Sequence, residues 1–286
     1  MSPLDAVAES HVTDGPLPAP VGNSSEFAAK SVLITGGGSG IGAGTARLMA
    51  ENGAYVVVLG PDEKPLSEVA AAVRGVAIVG DASDSNDVDA AIRAAREATG
   101  QLDILISCAG ISPFGSATDT TDELWGRVGR VNLDTAFVAA RQCLPALIES
   151  RGSIVLVSSL AGLLSAPNAV AYTTTKHAII GLTRSLAGDY GPRGVRTNAV
   201  CPGFVRTAMS DSVMTELGGL DGADALEAAY VSATRFTPLR RPAATREIAE
   251  VIAFLAGPRS TAITGSVITA DGGVSAIETG TIAAFA

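Results

Sequence analysis

Ser31-Val32-Leu33-Ile34-Thr35-Gly36-Gly37-Gly38-Ser39-Gly40-Ile41-Gly42 is the stretch from which the rest of the chain can be read. An apolar, β-branched run breaks into a turn with five glycines in seven positions, and an alanine-rich helical pattern follows over residues 41–52. The run predicts a buried strand. Strand, glycine turn and helix in that order aim free backbone N–H groups and the positive end of a helix dipole at one point, a place for a phosphate. Glycine serves there because a Cβ would keep the backbone away from a pyrophosphate or forbid a positive φ. The stretch defines a ligand class and no reaction. Its frame is open as well, since Gly38-x-Gly40-x-x-Ala43 also fits the common dinucleotide fingerprint.

Outward from the turn, apolar runs alternate with helical patterns. Strands are expected at residues 54–59, 76–79, 102–107, 153–158, 196–200 and 266–270. Helices are expected at 66–73, 86–99, 122–150, 170–190 and 246–256, with an irregular excursion from Cys201 to about Arg241. This cadence predicts an α/β fold, a single doubly wound domain whose seven-stranded sheet is mostly or fully parallel and flanked by helices. Ligands of such sheets lie at the carboxyl ends of the strands, near the switch point. Residues 1–29, rich in Pro, Ser, Gly and Ala and without periodicity, read as a flexible arm. Residues 30–273 form the domain, with a substrate-covering excursion at about 203–241. The small, apolar segment 274–286 reads as a C-terminal tail that packs on its own subunit or a neighbour.

The chain has 286 residues, 47% of them hydrophobic and 17% charged, with a net charge of −9. That balance argues against nucleic acid or an anionic membrane surface as a partner. No apolar run reaches the roughly 18 residues of a membrane span, and no Lys or Arg precedes Lys30 to form a signal-peptide n-region. A cytoplasmic location is the expectation. The three cysteines, Cys108, Cys143 and Cys201, are far apart and include no Cys-x-x-Cys pair, which fits reduced thiols and no zinc site. His11 and His177 are the only histidines, so neither a histidine metal site nor a Ser-His-Asp triad is expected.

The chemistry-bearing pattern is Tyr172-Thr173-Thr174-Thr175-Lys176. Residues i and i+4 share a helix face, so phenol and ammonium can occupy one site. A phenol titrates near pH 10 and is a poor base, and a neighbouring cation favours its ionised form. The strand 153–158 runs into Ser158-Ser159, which puts a hydroxyl on the expected ligand side, where it can hydrogen-bond a substrate oxygen. Asn132 lies inside a helical pattern that its propensity does not favour.

In order along residues 30–273, these motifs resemble those of the short-chain dehydrogenase/reductase family. Its Thr-Gly-x-x-x-Gly-x-Gly turn appears as Thr35–Gly42, its adenine-side Asp as Asp81 before Ala82, and its Pro-Gly segment as Cys201-Pro202-Gly203-Phe204-Val205-Arg206-Thr207. Its Asn-Asn-Ala-Gly segment appears as Ser107-Cys108-Ala109-Gly110, departing at both asparagines, and Asp271-Gly272-Gly273 matches its usual ending. The resemblance implies a Rossmann-type domain and a catalytic set of Asn132, Ser159, Tyr172 and Lys176. Tyr172 is then the proton carrier, Lys176 lowers its pKa and binds the nicotinamide ribose, Ser159 holds the substrate oxygen, and Asn132 supports a water-linked relay to Lys176. Cofactor contacts fall on Gly36, Ser39, Gly40, Ile41, Gly42, Asp62, Asp81, Ala82, Cys108, Ala109, Gly110, Tyr172, Lys176, Pro202, Gly203, Val205 and Thr207. No metal is implied.

An acid at the end of the second strand serves the ribose of NAD, whereas NADP asks for Arg or Lys. Here Gly60 and Pro61 precede Asp62, no Arg occurs between Arg47 and Arg74, and Lys64 is the one nearby cation. NAD is the expected cofactor. The excursion holds Phe204, Met209, Met214, Leu217, Leu220, Tyr230 and Phe236, which with Ile111, Pro113, Phe114, Leu160, Leu163 and Leu164 point to an apolar, neutral secondary alcohol or its ketone. Arg206 and Arg235 leave room for an anionic group. Three readings stand: an NAD-dependent alcohol dehydrogenase or ketone reductase, an NADP-dependent carbonyl reductase, and a dinucleotide-binding protein without catalysis. The family's habit of forming tetramers or dimers, and the apolar surface of the helix at 170–190, imply a homo-oligomer.

Overall fold

The computed structural model describes residues 26–218 and 222–277, the last two residues before the gap by backbone alone. Residues 1–25 of the expected arm, the Leu217 side chain, Leu220 and residues 278–286 of the expected tail lie outside that description. Seven strands are found among the described residues: β1 (Ser31–Thr35), β2 (Tyr55–Gly60), β3 (Val76–Val79), β4 (Ile104–Ser107), β5 (Ser153–Val157), β6 (Arg196–Pro202) and β7 (Val267–Ala270). They form one sheet in the order β3-β2-β1-β4-β5-β6-β7, and every pairing is parallel. The helices between them are α1 (Gly40–Glu51), α2 (Glu63–Val73), α3 (Ser85–Thr99), α4 (Asp122–Gly129), α5 (Thr135–Ser150), α6 (Val170–Tyr190), α7 (Ala208–Gly218), α8 (Ala223–Thr234) and α9 (Thr245–Ala256).

Burial on both faces explains the unbroken apolar runs. Successive side chains of a strand point to opposite faces. Val32, Ile34, Val56 and Val58 join the core under α1, α2 and α9, while Leu33, Val57 and Leu59 join the core under α3, α5 and α6. Because both sides are covered, neither set can be polar. No helix among the described residues is long and apolar enough to cross a membrane.

Three local features differ from the expectation. The end of the segment read as an arm is packed on the domain: Phe27 is only 2% exposed, its N–H donates to the Asn52 carbonyl at 2.9 Å, and Glu26 pairs with Arg259. The long helical region 122–150 is interrupted by a π-helical turn at Arg130–Asp134, with α4 before it and α5 after it. The excursion contains two helices, α7 and α8, and a buried aromatic ties them together. Tyr230 is fully buried and donates its O–H to Asp211 at 2.8 Å, while the Arg206 guanidinium lies 4.0 Å over its ring and pairs with Glu227.

One half-buried arginine ties β6 to the end of α9. From the start of β6, the Arg196 guanidinium donates to the carbonyls of Leu255 (2.8 Å), Ala256 (3.1 Å), Gly257 (3.0 Å) and Ser260 (3.1 Å). These are the orphan carbonyls at the C-terminal end of α9 and the turn after it, and a cation suits that end of the dipole. Replacing Arg196 by Met removes these bonds and leaves the Leu255, Ala256 and Gly257 carbonyls to the Ser260 and Ser153 hydroxyls, so we expect a loss of about 1–2 kcal/mol of stability, read as a lower urea midpoint with the same slope.

Candidate active site

The glycine turn lies where β1 ends beside β4. Gly36 has φ +65°, and a Cβ on it would sit 2.8 Å from the Ala109 nitrogen, so the turns after β1 and β4 touch through their backbones. A Cβ on Gly42 would sit 2.2 Å from the Gly36 carbonyl oxygen, which folds the turn tightly onto the start of α1. Ser39 precedes α1 in an extended conformation without a side-chain cap, and the first turn carries no acid. The first N–H groups of α1, at Gly40, Ile41 and Gly42, therefore have no intrahelical acceptor, at the carboxyl end of β1.

The remaining crevice residues come from strand ends. Cys108, Ala109 and Gly110 leave β4. Pro202 ends β6; Gly203 N–H donates to the Ala270 carbonyl at 3.2 Å, Val205 is buried, and the Thr207 methyl lies 3.2 Å from where a Gly40 Cβ would be. Thr207 thus brings the Pro202–Thr207 segment against the glycine turn. Asp62 follows β2 and is exposed, and its carboxylate makes no cap bond to α2. Asp81, beyond β3, is also exposed, but its carboxylate accepts the Ser83 N–H at 2.8 Å; Ala82 beside it is buried.

Asn132, Ser159, Tyr172 and Lys176 converge at the carboxyl edge of β4, β5 and β6. Lys176 is 5% exposed, donates to the Val157 carbonyl at 3.0 Å and lies 5.7 Å from the centre of the Tyr172 ring. The Ser159 hydroxyl accepts the Ala161 N–H at 3.1 Å and lies near enough to the Tyr172 phenol to lower its pKa. Asn132 is held in the π turn, 1% exposed. Its amide oxygen accepts the Ile111 N–H at 2.7 Å, and its amide nitrogen donates to the Ile111 carbonyl at 3.0 Å and the Thr175 hydroxyl at 3.1 Å. A Cβ on Gly110 would be 3.3 Å from the Asn132 oxygen and 3.4 Å from the Lys176 nitrogen, so those two polar atoms flank the same glycine. His177 points away, exposed, with a ring nitrogen 2.9 Å from the Thr173 carbonyl.

Burial dominates the electrostatics. It pushes the Tyr172 phenol above its ordinary value, against the nearby Ser159 hydroxyl that pulls it down. It also holds the Lys176 ammonium down to about 8. Desolvation is the largest influence on both groups, and the expected lowering of the Tyr172 phenol by the Lys176 ammonium is not among the causes that shift it. Cys108 is pushed up to about 12 and Cys201 is raised, again by burial, so both stand in the site as neutral thiols.

A family model described as Enoyl-(Acyl carrier protein) reductase matches residues 36–275. The chain belongs to the short-chain dehydrogenase/reductase family. It is 41% identical over 267 residues to Protein MoaE of Klebsiella aerogenes, covering 89% of this chain and 99% of that protein. It is 36% identical over 253 residues to 2-(S)-hydroxypropyl-CoM dehydrogenase 3 of Xanthobacter autotrophicus, covering 86% and 96%. The structure of the Thermoplasma acidophilum aldohexose dehydrogenase superposes with a TM-score of 0.83 at 32% identity, over 90% of this chain and 98% of that one. As a short-chain dehydrogenase/reductase the protein is an oxidoreductase acting on CH–OH groups, and the family's cofactor is a nicotinamide dinucleotide. The turn fits such a group, with an uncapped helix start beside backbone that a Cβ at Gly36 would block.

Sequence reasoning overlooked three contributors: the Val157 carbonyl that receives Lys176, the Ile111 backbone that clasps Asn132, and the Thr175 hydroxyl. Backbone groups carry no sequence signal, and Thr175 is one of three consecutive threonines. Gly36→Ala should weaken nicotinamide dinucleotide binding about tenfold or more in a fluorescence titration, through backbone displacement at the Ala109 contact.

Proposed function

We propose that the protein is an NAD-dependent dehydrogenase that interconverts a secondary alcohol and its ketone, with Tyr172 as general acid/base. The observation that carries this reading is the meeting of the half-buried Tyr172 phenol and Ser159 hydroxyl with the buried Lys176 ammonium at the carboxyl edge of the sheet. The nicotinamide, when bound, supplies the hydride acceptor for oxidation or the donor for reduction. In oxidation Tyr172, as phenolate, takes the hydroxyl proton of the substrate; in reduction, as phenol, it returns one. Ser159 donates to the substrate oxygen as charge gathers there. Lys176 holds the ribose hydroxyls and keeps a positive charge beside the phenolate, and Asn132 supports the relay on the far side of Gly110. The first turn of α1 and Gly36, Ser39 and Gly110 hold the dinucleotide, with Cys108, Ala109, Ala82, Pro202, Gly203, Val205 and Thr207 lining it.

NAD is favoured because the Asp62 carboxylate lies exposed just beyond β2 and is not used as a helix cap. A 2′-phosphate in its place would meet two acids, Asp62 and Glu63, with Lys64 as the nearby cation. Asp81 is the less suited acid, since its own turn already engages it. NADH should bind more tightly than NADPH in a fluorescence titration, and Asp62→Ala should narrow the difference; tighter NADPH binding by the wild-type protein overturns the assignment.

The substrate reading is supported by an open cavity of about 300 Å³ between the loop after β4, α4 and α7, which adjoins the site through Ile111 and is lined by none of Asn132, Ser159, Tyr172 and Lys176. Ile111, Pro113, Leu124, Met209 and Val213 give it an apolar body, and Arg127 and Glu216 stand at its polar side. That size is at the low end for ligand pockets. Arg206 is engaged by Glu227 and the Tyr230 ring, and Arg235 lies 4.4 Å over the Phe236 ring. Those two arginines are thus used within the excursion, which supports a small, neutral, largely apolar substrate. Trp125 and Phe137, exposed on α4 and α5, support a homo-oligomer as part of the same reading.

Oxidation needs the phenolate and reduction the phenol, and burial raises the Tyr172 pKa. Alcohol oxidation should therefore climb with pH through the alkaline range while ketone reduction falls. Ser159→Ala removes the group that pulls the phenol down, so the alkaline rise should move to higher pH. Tyr172→Phe should cut kcat about 10²–10⁴-fold with cofactor affinity kept; near-normal turnover of that variant on an alcohol and ketone panel would sink the mechanism.

A further inference from the structure

Asn132 is attached twice to Ile111, on the loop after β4, but the site needs it in register with Tyr172 and Lys176, on α6. The π turn that carries it is a local insertion into an otherwise α-helical path, packed against α6. Among the described residues, one side-chain hydrogen bond joins Asn132 to α6, and it ends on Thr175. That hydroxyl is buried with the residue 7% exposed. It accepts from the Asn132 amide at 3.1 Å and spends its proton on its own helix, within reach of the Ala171 carbonyl at 3.0 Å and the Tyr172 carbonyl at 2.9 Å. A hydroxyl that accepts from one element and donates into another is a two-sided joint. Without it, one amide hydrogen of Asn132 is buried with no acceptor, and the side chain loses its polar link to α6.

We propose that Thr175 is a positioning residue, holding the Asn132 amide at a fixed distance from the Lys176 ammonium so that both flank Gly110 together. This rests on the role assigned to Asn132 above. The joint also places Ile111, which Asn132 clasps and which lines the substrate cavity. Placement errors of about an ångström at a reacting centre cost rates on the order of a hundredfold, so a smaller shift of the Asn132 amide should cost on the order of tenfold. Thr175→Val preserves the shape and removes the hydroxyl, while Thr175→Ser preserves the hydroxyl and removes the methyl.

The test is steady-state kinetics and cofactor titration on wild type, Thr175→Val, Thr175→Ser, Asn132→Ala and the Asn132→Ala/Thr175→Val double variant. Thr175→Val should lower kcat about tenfold with nicotinamide affinity within about twofold of wild type, and Thr175→Ser should restore most of the rate. In the Asn132→Ala background the Val substitution should cost nothing further, because the two residues act as one unit. Intact cofactor binding certifies the fold of each variant; if Thr175→Val fails to fold, the Ser variant and Thr175→Ala replace it in the comparison. A wild-type kcat for Thr175→Val, or a loss that adds fully to that of Asn132→Ala, overturns the inference. If Asn132→Ala itself turns over normally, the role assigned to Asn132 falls first and this inference with it. If Asn132→Ala is impaired and Thr175→Val is not, the inference alone falls.

Discussion

The structure depends on a reversal at the centre of a parallel sheet. The chain runs from β1 outward to β3, then returns to place β4 on the other side of β1. The helix after β1 packs on one face and the helices after β4 on the other, so the two following turns must part, and a crevice opens between them. At its floor the backbones of Gly36 and Ala109 meet with no space for a Cβ. That contact sets how far the start of α1 projects over the strand ends. One residue further on, Gly110 leaves room for the Asn132 amide oxygen and the Lys176 nitrogen beside the same backbone. The glycine turn and the Asn132–Lys176 cluster thus meet along one short segment after β4.

A buried ammonium makes the cluster more than a structural knot. Lys176 is nearly inaccessible, and among the described residues its hydrogen bond is to a carbonyl, with no carboxylate paired to it. A lysine placed for stability alone would be expected to carry a counter-ion, because an unpaired buried charge is costly. Here the cost appears as a pKa held down to about 8. Two of the three ammonium donors remain after the Val157 bond, on a nitrogen that sits beside Gly110. Tyr172 bears the matching cost in the other direction. A phenol raised by burial and a lysine lowered by burial are both drawn toward the form that a bound ligand, by adding hydrogen bonds, can reverse.

What was legible in the sequence followed from backbone chemistry that leaves a side-chain trace. The strands were readable because burial on both faces forces unbroken apolar runs, as in Ser31–Thr35 and Tyr55–Gly60. The glycine turn was readable because close backbone approach excludes every other residue. The pairing of Tyr172 with Lys176 followed from helical spacing, and the placing of Ser159 from the end of a strand. The π turn at Arg130–Asp134 was hidden, because a single inserted residue leaves helical periodicity almost unchanged. α7 and α8 were read as irregular since neither carries an ordinary apolar stripe; their joint is Tyr230 beneath Arg206, a pair separated by two dozen residues. Phe27 was hidden among Pro, Ser and Ala, and one aromatic in such company gives no period. Arg196 was silent as well, because its partners are carbonyls.

The departure from the family's Asn-Asn-Ala-Gly segment shows which parts of the pattern the physics enforces. Ser107 is buried at the end of β4 and shares a 3.4 Å contact with the Thr35 hydroxyl of β1, so a small polar group still bridges the two central strands. Cys108 packs partly against the core under α1 and, being held neutral by burial, behaves there as a small apolar side chain. Side chains at these two positions can be exchanged as long as volume and polarity suit the neighbours. Ala109 and Gly110 have no such freedom. Ala109 presents its backbone to Gly36, and any side chain on Gly110 would enter the space between Asn132 and Lys176. The segment therefore keeps its constraint where backbone approaches backbone or where polar atoms converge, and relaxes it where a side chain only fills the core.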